Sequence, residues 1–463
     1  MSDPHSRRTQ AVHEPRVRRL VALAAAIGRL TRVAHEAVGQ LTRVALVGVL
    51  LTTACAPPQA IVRVPDIAPT DPAFLATLAA HTDARFVGGN RIDILLNGDE
   101  TFPEMLRAIA GARRTITFEE YFYEDGQIAA DVANAIAERC AHGVKAHVLL
   151  DAFGASKIHR DLIANMKQSG CEVEWFGGIK PVQILLPWKL LSYNNRNHRR
   201  IVVVDGRIGF TGGYGISEAW TGDGRQRDHW RDTNAMMAGP VARQLQAVFV
   251  RDWRETTGAV LGGDDYFPEV DSPGDVTAQI VASAPTGGAS ESYMLFLFAI
   301  STARRSISIT NPYFVIDDQM KDVLIAAQRR GVQVTVVIPG QLDGRFFRVD
   351  QNLVHYAGRG EIGALLKAGI RVFAYRPAFL HAKTMVVDDA WAIIGSTNLD
   401  RRSFELNREI NLTVLDARVA ARLEAIFRDD LARCEELTYA KWSSRGPVER
   451  VLEWFAVPAK SQL

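Results

Sequence analysis

Cysteine is scarce in this chain, with four in 463 residues. That is too few for a disulfide framework, and the spacings of Cys55, Cys140, Cys171 and Cys434 match no zinc site. Long uncharged runs are missing from most of the sequence, which excludes a multi-span transporter. No charge of one sign dominates either, since the formal net charge is only +2. Hydrophobic residues at 47% and charged residues at 23% exclude a disordered or collagen-like chain. The length fits two or three domains at roughly 100–200 residues each.

The small net charge conceals an asymmetry. Residues 1–43 carry eight arginines against Asp3, Glu14 and Glu36, a net of +5, which leaves −3 for residues 44–463. The body of the protein therefore lacks the global basic character of a non-specific nucleic-acid binder, and no nucleic-acid partner is expected. After the arginines, Val44–Val62 holds no charge, but Pro57 and Pro58 confine its helical part to Val44 through about Ala56. A basic stretch, about 11 apolar residues and then small residues read as a secretory signal, short of the roughly 20 residues that span a bilayer. The end of this segment, Leu50-Leu51-Thr52-Thr53-Ala54-Cys55, resembles a bacterial lipoprotein signal, in which Cys55 is lipidated and becomes the first mature residue. A signal anchor and an extension without a role are the other readings. The location expected is the inner membrane of a bacterium, as a lipoprotein or otherwise membrane-associated.

From about Arg91 the pattern alternates between strand and helix. Ile92–Leu96, Thr115–Tyr123, Val144–Leu150 and Cys171–Phe176 read as strands, and Phe102–Ala112, Gln127–Ala141 and Asp161–Gln168 as helices. The order predicts an α/β fold with a mixed sheet covered by helices. The pattern then recurs. Ala108-Ile109, Ala112-Arg113-Arg114 and Ile116 match Ala299-Ile300, Ala303-Arg304-Arg305 and Ile307 at a constant offset of 191, and Gly143-Val144 matches Gly331-Val332 at 188. One fold used twice follows, with the boundary in Gly258–Gly288, rich in Gly, Asp, Pro and Ser. The expected division is a targeting segment at 1–60 and domains at 85–257 and 275–440.

Function rests on what the halves share. One contains His198-Arg199-Arg200, Asp205 and Gly212-Gly213; the other contains His381-Ala382-Lys383, Asp388 and Gly395-Ser396. In both, a cation follows the histidine by two residues, Asp by seven and Gly by fourteen, and the copies are 183 apart. Side chains alternate along a strand, so each histidine shares a face with its cation. Two such faces suit phosphoryl chemistry: one imidazole attacks phosphorus, the other protonates the leaving alkoxide, and the cations hold the phosphate. The glycines leave room for a tight turn or for backbone N–H groups to approach the anion.

These motifs resemble the His-x-Lys-(x4)-Asp signature of the phospholipase D superfamily, over about residues 85–440. Asn197-His198-Arg199, Thr211-Gly212-Gly213, Trp230-Arg231-Asp232-Thr233, Asn311-Pro312-Tyr313-Phe314, Gly395 through Ser403 and Glu405 through Glu409 point within it to bacterial cardiolipin synthases. The resemblance implies two duplicated phospholipase D-like domains, each a mixed β-sheet flanked by helices, packed with pseudo-twofold symmetry. It implies that His198 is the nucleophile and His381 the general acid and then base. Lys383 and Arg200 would bind phosphate with Ser396, Asn398, Gly212 and Gly213. Asp205 and Asp388 would support the catalytic geometry, and Glu409 would orient a histidine. The family needs no metal and no cofactor is expected, in keeping with the lack of a Cys/His ligand cluster. The partners implied are phospholipids, phosphatidylglycerol first among them, and a membrane surface.

The sequence departs from the family pattern twice. Arg200 stands where Lys is usual, keeping the charge and adding a forked grip on phosphate, and Gly215 stands where an Asn equivalent to Asn398 is expected. Three functional classes follow: a phosphatidyltransferase, a hydrolase of lipid or nucleic acid with the same fold, and a degenerate lipid-binding homologue. Three lesser readings complete the picture. One of Glu119 and Glu120, ahead of Tyr121-Phe122-Tyr123, faces the cleft. Gln183–Trp188, flanked by Lys180 and Lys189, forms a lipid-facing lip. Cys140, Cys171 and Cys434 are small buried residues.

Overall fold

A computed structural model describes residues 61–69, 71–178, 194–285, 290–340 and 348–446. The segment bearing Cys55, the stretch Gln183–Trp188 with its two lysines, and the end of the expected boundary at Gly288 lie outside the described residues.

The first half supplies strands β1 (Val87–Leu96), β2 (Thr115–Glu120), β3 (Lys145–Asp151), β4 (Glu172–Phe176), β5 (Ile201–Val204), β6 (Ile208–Gly212) and β7 (Thr233–Ala238). The second supplies β8 (Val276–Ser283), β9 (Ser306–Thr310), β10 (Gln333–Pro339), β11 (Arg371–Tyr375), β12 (Thr384–Val387), β13 (Trp391–Gly395) and β14 (Glu409–Leu415), with β15 (Cys434–Leu437) added at the edge. Outward from the centre the first half runs β1-β7-β6-β5-β2-β3-β4, and the second repeats it strand for strand as β8-β14-β13-β12-β9-β10-β11. Within each half the three outer strands of this series are parallel and the remainder antiparallel. The duplication expected from the sequence is thus a duplication of topology.

The mixed sheets of the two halves join into a single 15-stranded sheet. The join is the antiparallel pair β1–β8, where the Asn90 amide donates to Val87 O and Val276 O at 2.7 and 2.9 Å. One face of this sheet is a common core. The helix Pro240–Thr257 places Leu245, Phe249 and Trp253 on it, and the helix Ala417–Leu431 adds Leu423 and Ile426. They cover Ile201, Val203, Ile394, Ile410 and Leu412 from strands of both halves. The apolar residues of each helix recur at three- and four-residue intervals, giving one buried stripe. Pro240 opens the first helix, and Gly258 closes it in the left-handed region at φ 82°. Asp416 caps the second by accepting from the N–H groups of Arg418 and Val419. On the other face each half has its own core. The helix Pro72–Thr82, which precedes the first half in sequence, packs Phe74 and Leu78 into the core of the second.

The cysteine reading is corrected here. Cys140, at the end of the helix Gln127–Ala141, is disulfide-bonded to Cys171, just before β4, with a Cα–Cα distance of 5.5 Å. The helix end and the strand start lie side by side although 31 residues separate them in sequence. Sequence spacing alone carries no sign of that proximity. Cys434 is half-buried and free. Closing a loop of that length restricts the unfolded chain by about 3–4 kcal/mol. Cys140→Ala is therefore expected to lower unfolding free energy by about that amount in non-reducing denaturant titrations, and reductant should produce the same loss in the parent protein.

Candidate functional site

The two motif strands, β5 and β12, occupy equivalent places in the halves, and the histidines precede them. Each histidine is held by the opposite half. His198 N–H donates to Arg408 O at 3.0 Å and Arg408 N–H to Arg196 O at 2.8 Å. In the same way His381 N–H donates to Arg231 O at 2.7 Å and Arg231 N–H to Phe379 O at 2.9 Å.

The side chains repeat this exchange. His198 Nδ1 lies 2.9 and 3.0 Å from the two oxygens of Glu409, and His381 Nδ1 lies 2.7 Å from Asp232 Oδ2. Each imidazole therefore has its Nδ1 fixed by a carboxylate of the other half, which directs Nε2 to the reaction. Glu409 also accepts from Asn407 Nδ2 at 3.2 Å and from the Ser396 hydroxyl. Asp232 accepts from Trp220 Nε1 at 2.9 Å and from Thr233 N–H at 2.8 Å. An arginine precedes each carboxylate and anchors it across the halves. Arg231 grips Asp430 with two bonds of 2.7 and 2.9 Å, and Arg408 donates to Asp252 at 2.5 Å.

The cations complete the two sets. Lys383 Nζ lies 2.8 Å from His381 Nε2 and donates to His381 O at 2.6 Å. Arg200 repeats this with Nη2 3.2 Å from His198 Nε2 and Nη1 donating to His198 O at 2.7 Å, while its Nε donates to Tyr214 O at 2.6 Å. The arginine thus reaches the position of the lysine with an extra anchor. Arg200→Ala is expected to cost of order 2–4 kcal/mol in kcat/KM, as loss of a positioned charge contact does. Arg200→Lys should keep activity within about tenfold, because Lys383 makes the same carbonyl contact in the other half. Steady-state kinetics on the variants checks both.

All four of these side chains are buried, at most 8% exposed. Burial, reinforced by Arg200 and Lys383, holds His198 well below the usual histidine range. Burial and Lys383 push His381 down to about 3, and burial holds the Lys383 amine well below its usual range. Burial would raise Asp232, but His381 and Lys383 outweigh it and bring the carboxyl to about 2. Glu409 is pushed up to about 7 by burial. The histidines are thus neutral and Asp232 ionised at neutral pH. His198 and His381 both feel Arg200 and Lys383, which marks one converged site. An entering phosphodiester anion would favour the protonated forms of this cluster.

Other residues read from the sequence have different roles. Asp205 and Asp388, expected to support the motif geometry, sit in the turns after β5 and β12, in the left-handed region at φ 52° and 53°. Asp205 accepts from the N–H groups of Arg113, Arg114 and Thr115, and Asp388 from those of Arg304, Arg305 and Ser306. They tie each motif strand to its neighbour and belong to the scaffold. The Ser396 hydroxyl donates to Glu409 and accepts from Ile410 N–H at 2.9 Å, so it positions the carboxylate instead of holding phosphate. Gly213 N–H donates to Asn234 Oδ1 at 3.0 Å and is not free for an anion. A Cβ on Gly212 would stand 2.4 Å from Asn234 Oδ1, and one on Gly213 would stand 2.3 Å from Asp232 Oδ1. Gly212 makes room for Asn234, and Gly213 for Asp232, the partner of His381.

Asn398 is buried, with Oδ1 making no hydrogen bond among the described residues. At Gly215 an added Cβ would lie 3.1 Å from the Trp220 ring, so the indole takes the space that an asparagine would need. That indole packs edge-on to His381 at 5.1 Å, and Tyr121 packs edge-on to His198 at 4.8 Å. Glu120 lies 3.9 Å from Arg200 Nε, and Glu119 accepts from Asn197 Nδ2 at 2.5 Å; both are buried. The residue whose role sequence reading missed is Asp232. The repeated Arg-acid dipeptide, Arg231-Asp232 and Arg408-Glu409, was the signal that pairs it with Glu409.

A duplicated mixed sheet with two interlocked His-cation-carboxylate sets is the architecture of the phospholipase D superfamily. The profile of the family described as "Cardiolipin synthase, PLD-like domain" matches residues 105–253 and 296–431. The chain is 34% identical to a cardiolipin synthase of Staphylococcus aureus over 358 residues, covering 77% of this chain and 70% of the relative. It is 31% identical to the major cardiolipin synthase of Bacillus subtilis over 372 residues, covering 80% and 74%. In fold it is similar to the crystal structure of the phosphatidylserine synthase of Haemophilus influenzae, with a TM-score of 0.64, 14% identity and coverage of 80% and 95%. The chain belongs to the PLD-like cardiolipin synthase family, and it is an enzyme of the phosphatidyltransferase type.

Proposed function

We propose that the protein makes cardiolipin by moving a phosphatidyl group between two phosphatidylglycerol molecules through a phosphohistidine. The observation that carries the mechanism is the crosswise fixing of each Nδ1 by the other half's carboxylate. His198, neutral and with Nδ1 held by Glu409, attacks phosphorus through Nε2 while the bond to the departing glycerol oxygen breaks. His381 gives that oxygen its proton, and the ionised Asp232 beside it stabilises the imidazolium that carries the proton beforehand. The hydroxyl of the second lipid then gives its proton to His381 and attacks phosphorus, and the bond to His198 breaks. Lys383 and Arg200 hold the phosphate oxygens and balance the charge that builds on them, with Asn398 as a further polar contact.

The arginine-rich leader and the apolar run ending at Cys55 support work at a bacterial membrane surface. Among the described residues no helix is long and apolar enough to cross a bilayer. The test is incubation of the full chain with phosphatidylglycerol vesicles in the presence of EDTA, followed by mass analysis of the lipids. Cardiolipin and free glycerol in equal amounts are expected. Phosphatidic acid in place of cardiolipin would make the enzyme a hydrolase.

A further inference from the structure

A cavity lies beside the catalytic residues of the second half. Its volume is about 260 Å³, and its walls include Pro312, Tyr313, Ile338, Ile362, Phe379 and Trp442. It opens where β9, β10 and β11 end, the carboxyl edge where α/β sheets take their ligands. The catalytic histidine lies at the same edge, because Thr384, three residues past His381, pairs with Thr310 at the end of β9. Phe379 is a wall common to both sites. Its ring lies 6.2 Å from that of His381, 4.8 Å from Trp230 and 6.3 Å from Tyr313.

The cavity is built by the fold. Trp442 donates Nε1 to Arg359 O at 2.9 Å. A Cβ on Gly363 would stand 2.3 Å from its indole, so the glycine admits the ring against the helix Arg348–Lys367. The equivalent place in the first half is packed differently. There the turn after β3 buries Ala155 and Ile158, and a Cβ on Gly154 would stand 2.2 Å from Tyr121 O.

Resting on the phosphatidyl-transfer reading, we infer that this cavity takes a fatty acyl chain of a phospholipid substrate whose phosphate lies between His198 and His381. The walls are mainly apolar, as an acyl chain requires. The volume falls below the roughly 300–1,000 Å³ of pockets for drug-sized ligands, which suits part of one chain and excludes a whole lipid.

The test is Ile362→Trp, which fills the slot without touching the catalytic groups. Transfer from long-chain phosphatidylglycerol should fall at least about tenfold, while transfer from the dihexanoyl lipid should stay within about twofold. Loss that also appears in exchange with labelled glycerol assigns the chain to the donor, and loss confined to lipid-to-lipid transfer assigns it to the acceptor. An unchanged ratio of long- to short-chain activity overturns the proposal. To guard against misfolding of the variant, the unaltered protein is photolabelled with phosphatidylglycerol bearing a diazirine on one chain. Label on the segments 358–362 or 437–442 is expected, and label confined to other segments overturns the proposal. If the parent protein transfers no phosphatidyl group but labels at these segments, the functional reading fails and the cavity assignment stands.

Discussion

His198→Ala is expected to lower turnover by about 10⁴-fold or more, and His381→Ala by about 10²–10⁴-fold, the usual costs of removing a nucleophile and a general acid. The two losses should differ in kind. A donor whose leaving group is a good aryl oxide needs no proton, so His381→Ala should still attack it and then stall, because no base activates the acceptor. A phosphatidyl adduct should accumulate on His198 and be found by intact mass and peptide mapping. His198→Ala should form no adduct with any donor. An adduct mapping to His381 would reverse the two roles. The ionised Asp232 beside His381 is what favours His381 as the proton carrier, although the backbone around the two histidines is nearly symmetric.

The second large effect is expected from the crosswise carboxylates. Asp232→Asn and Glu409→Gln should each reduce kcat by about 10²–10⁴-fold with little change in fold, because an amide can present N–H to Nδ1 and fix the wrong tautomer. The two should differ in pH dependence. Asp232, at about 2, stays ionised throughout the working range. Glu409, at about 7, loses its charge as the medium is acidified through neutrality. A carboxylate is the form that orients neutral His198, so kcat/KM of the parent enzyme should fall as pH drops below about 7. Glu409→Gln should flatten that limb while lowering the plateau. A limb that persists unchanged in Glu409→Gln would place the titration elsewhere.

Much of this site was legible in the sequence, because its chemistry is carried by residues close together in the chain. His198 with Arg200, and His381 with Lys383, are two apart in the segments leading into β5 and β12, and the alternation expected of extended chain puts each pair on one face. The strands and helices from Ile92 to Phe176 were equally legible, since their apolar spacing is that of half-buried strands and amphipathic helices. What escaped was set by contacts between distant segments. Asp232 meets His381 across 149 residues, and Glu409 meets His198 across 211. Local pattern carries no such pairing, although the duplicated Arg-acid dipeptide encoded it. Ser396 was placed at the phosphate by the family resemblance, and Gly213 because glycines after a strand suit an anion. Their actual constraint is the bulk and hydrogen bonds of Glu409, Asn234 and Asp232 behind them. The disulfide was missed for the same reason.

The exchange of carboxylates between halves bears on how such a chain came to exist. A lone half would hold a histidine and a carboxylate that cannot meet each other, so it could work only as a symmetric pair of identical copies. Every change would then strike both histidines at once. Joining the copies through β1 and β8 removes that constraint, and the two sets here have diverged: Arg200 opposite Lys383, Asp232 opposite Glu409, Gly213 opposite Ser396. A single chain thus leaves the two sets free to differ, while each histidine still depends on the other half for its carboxylate.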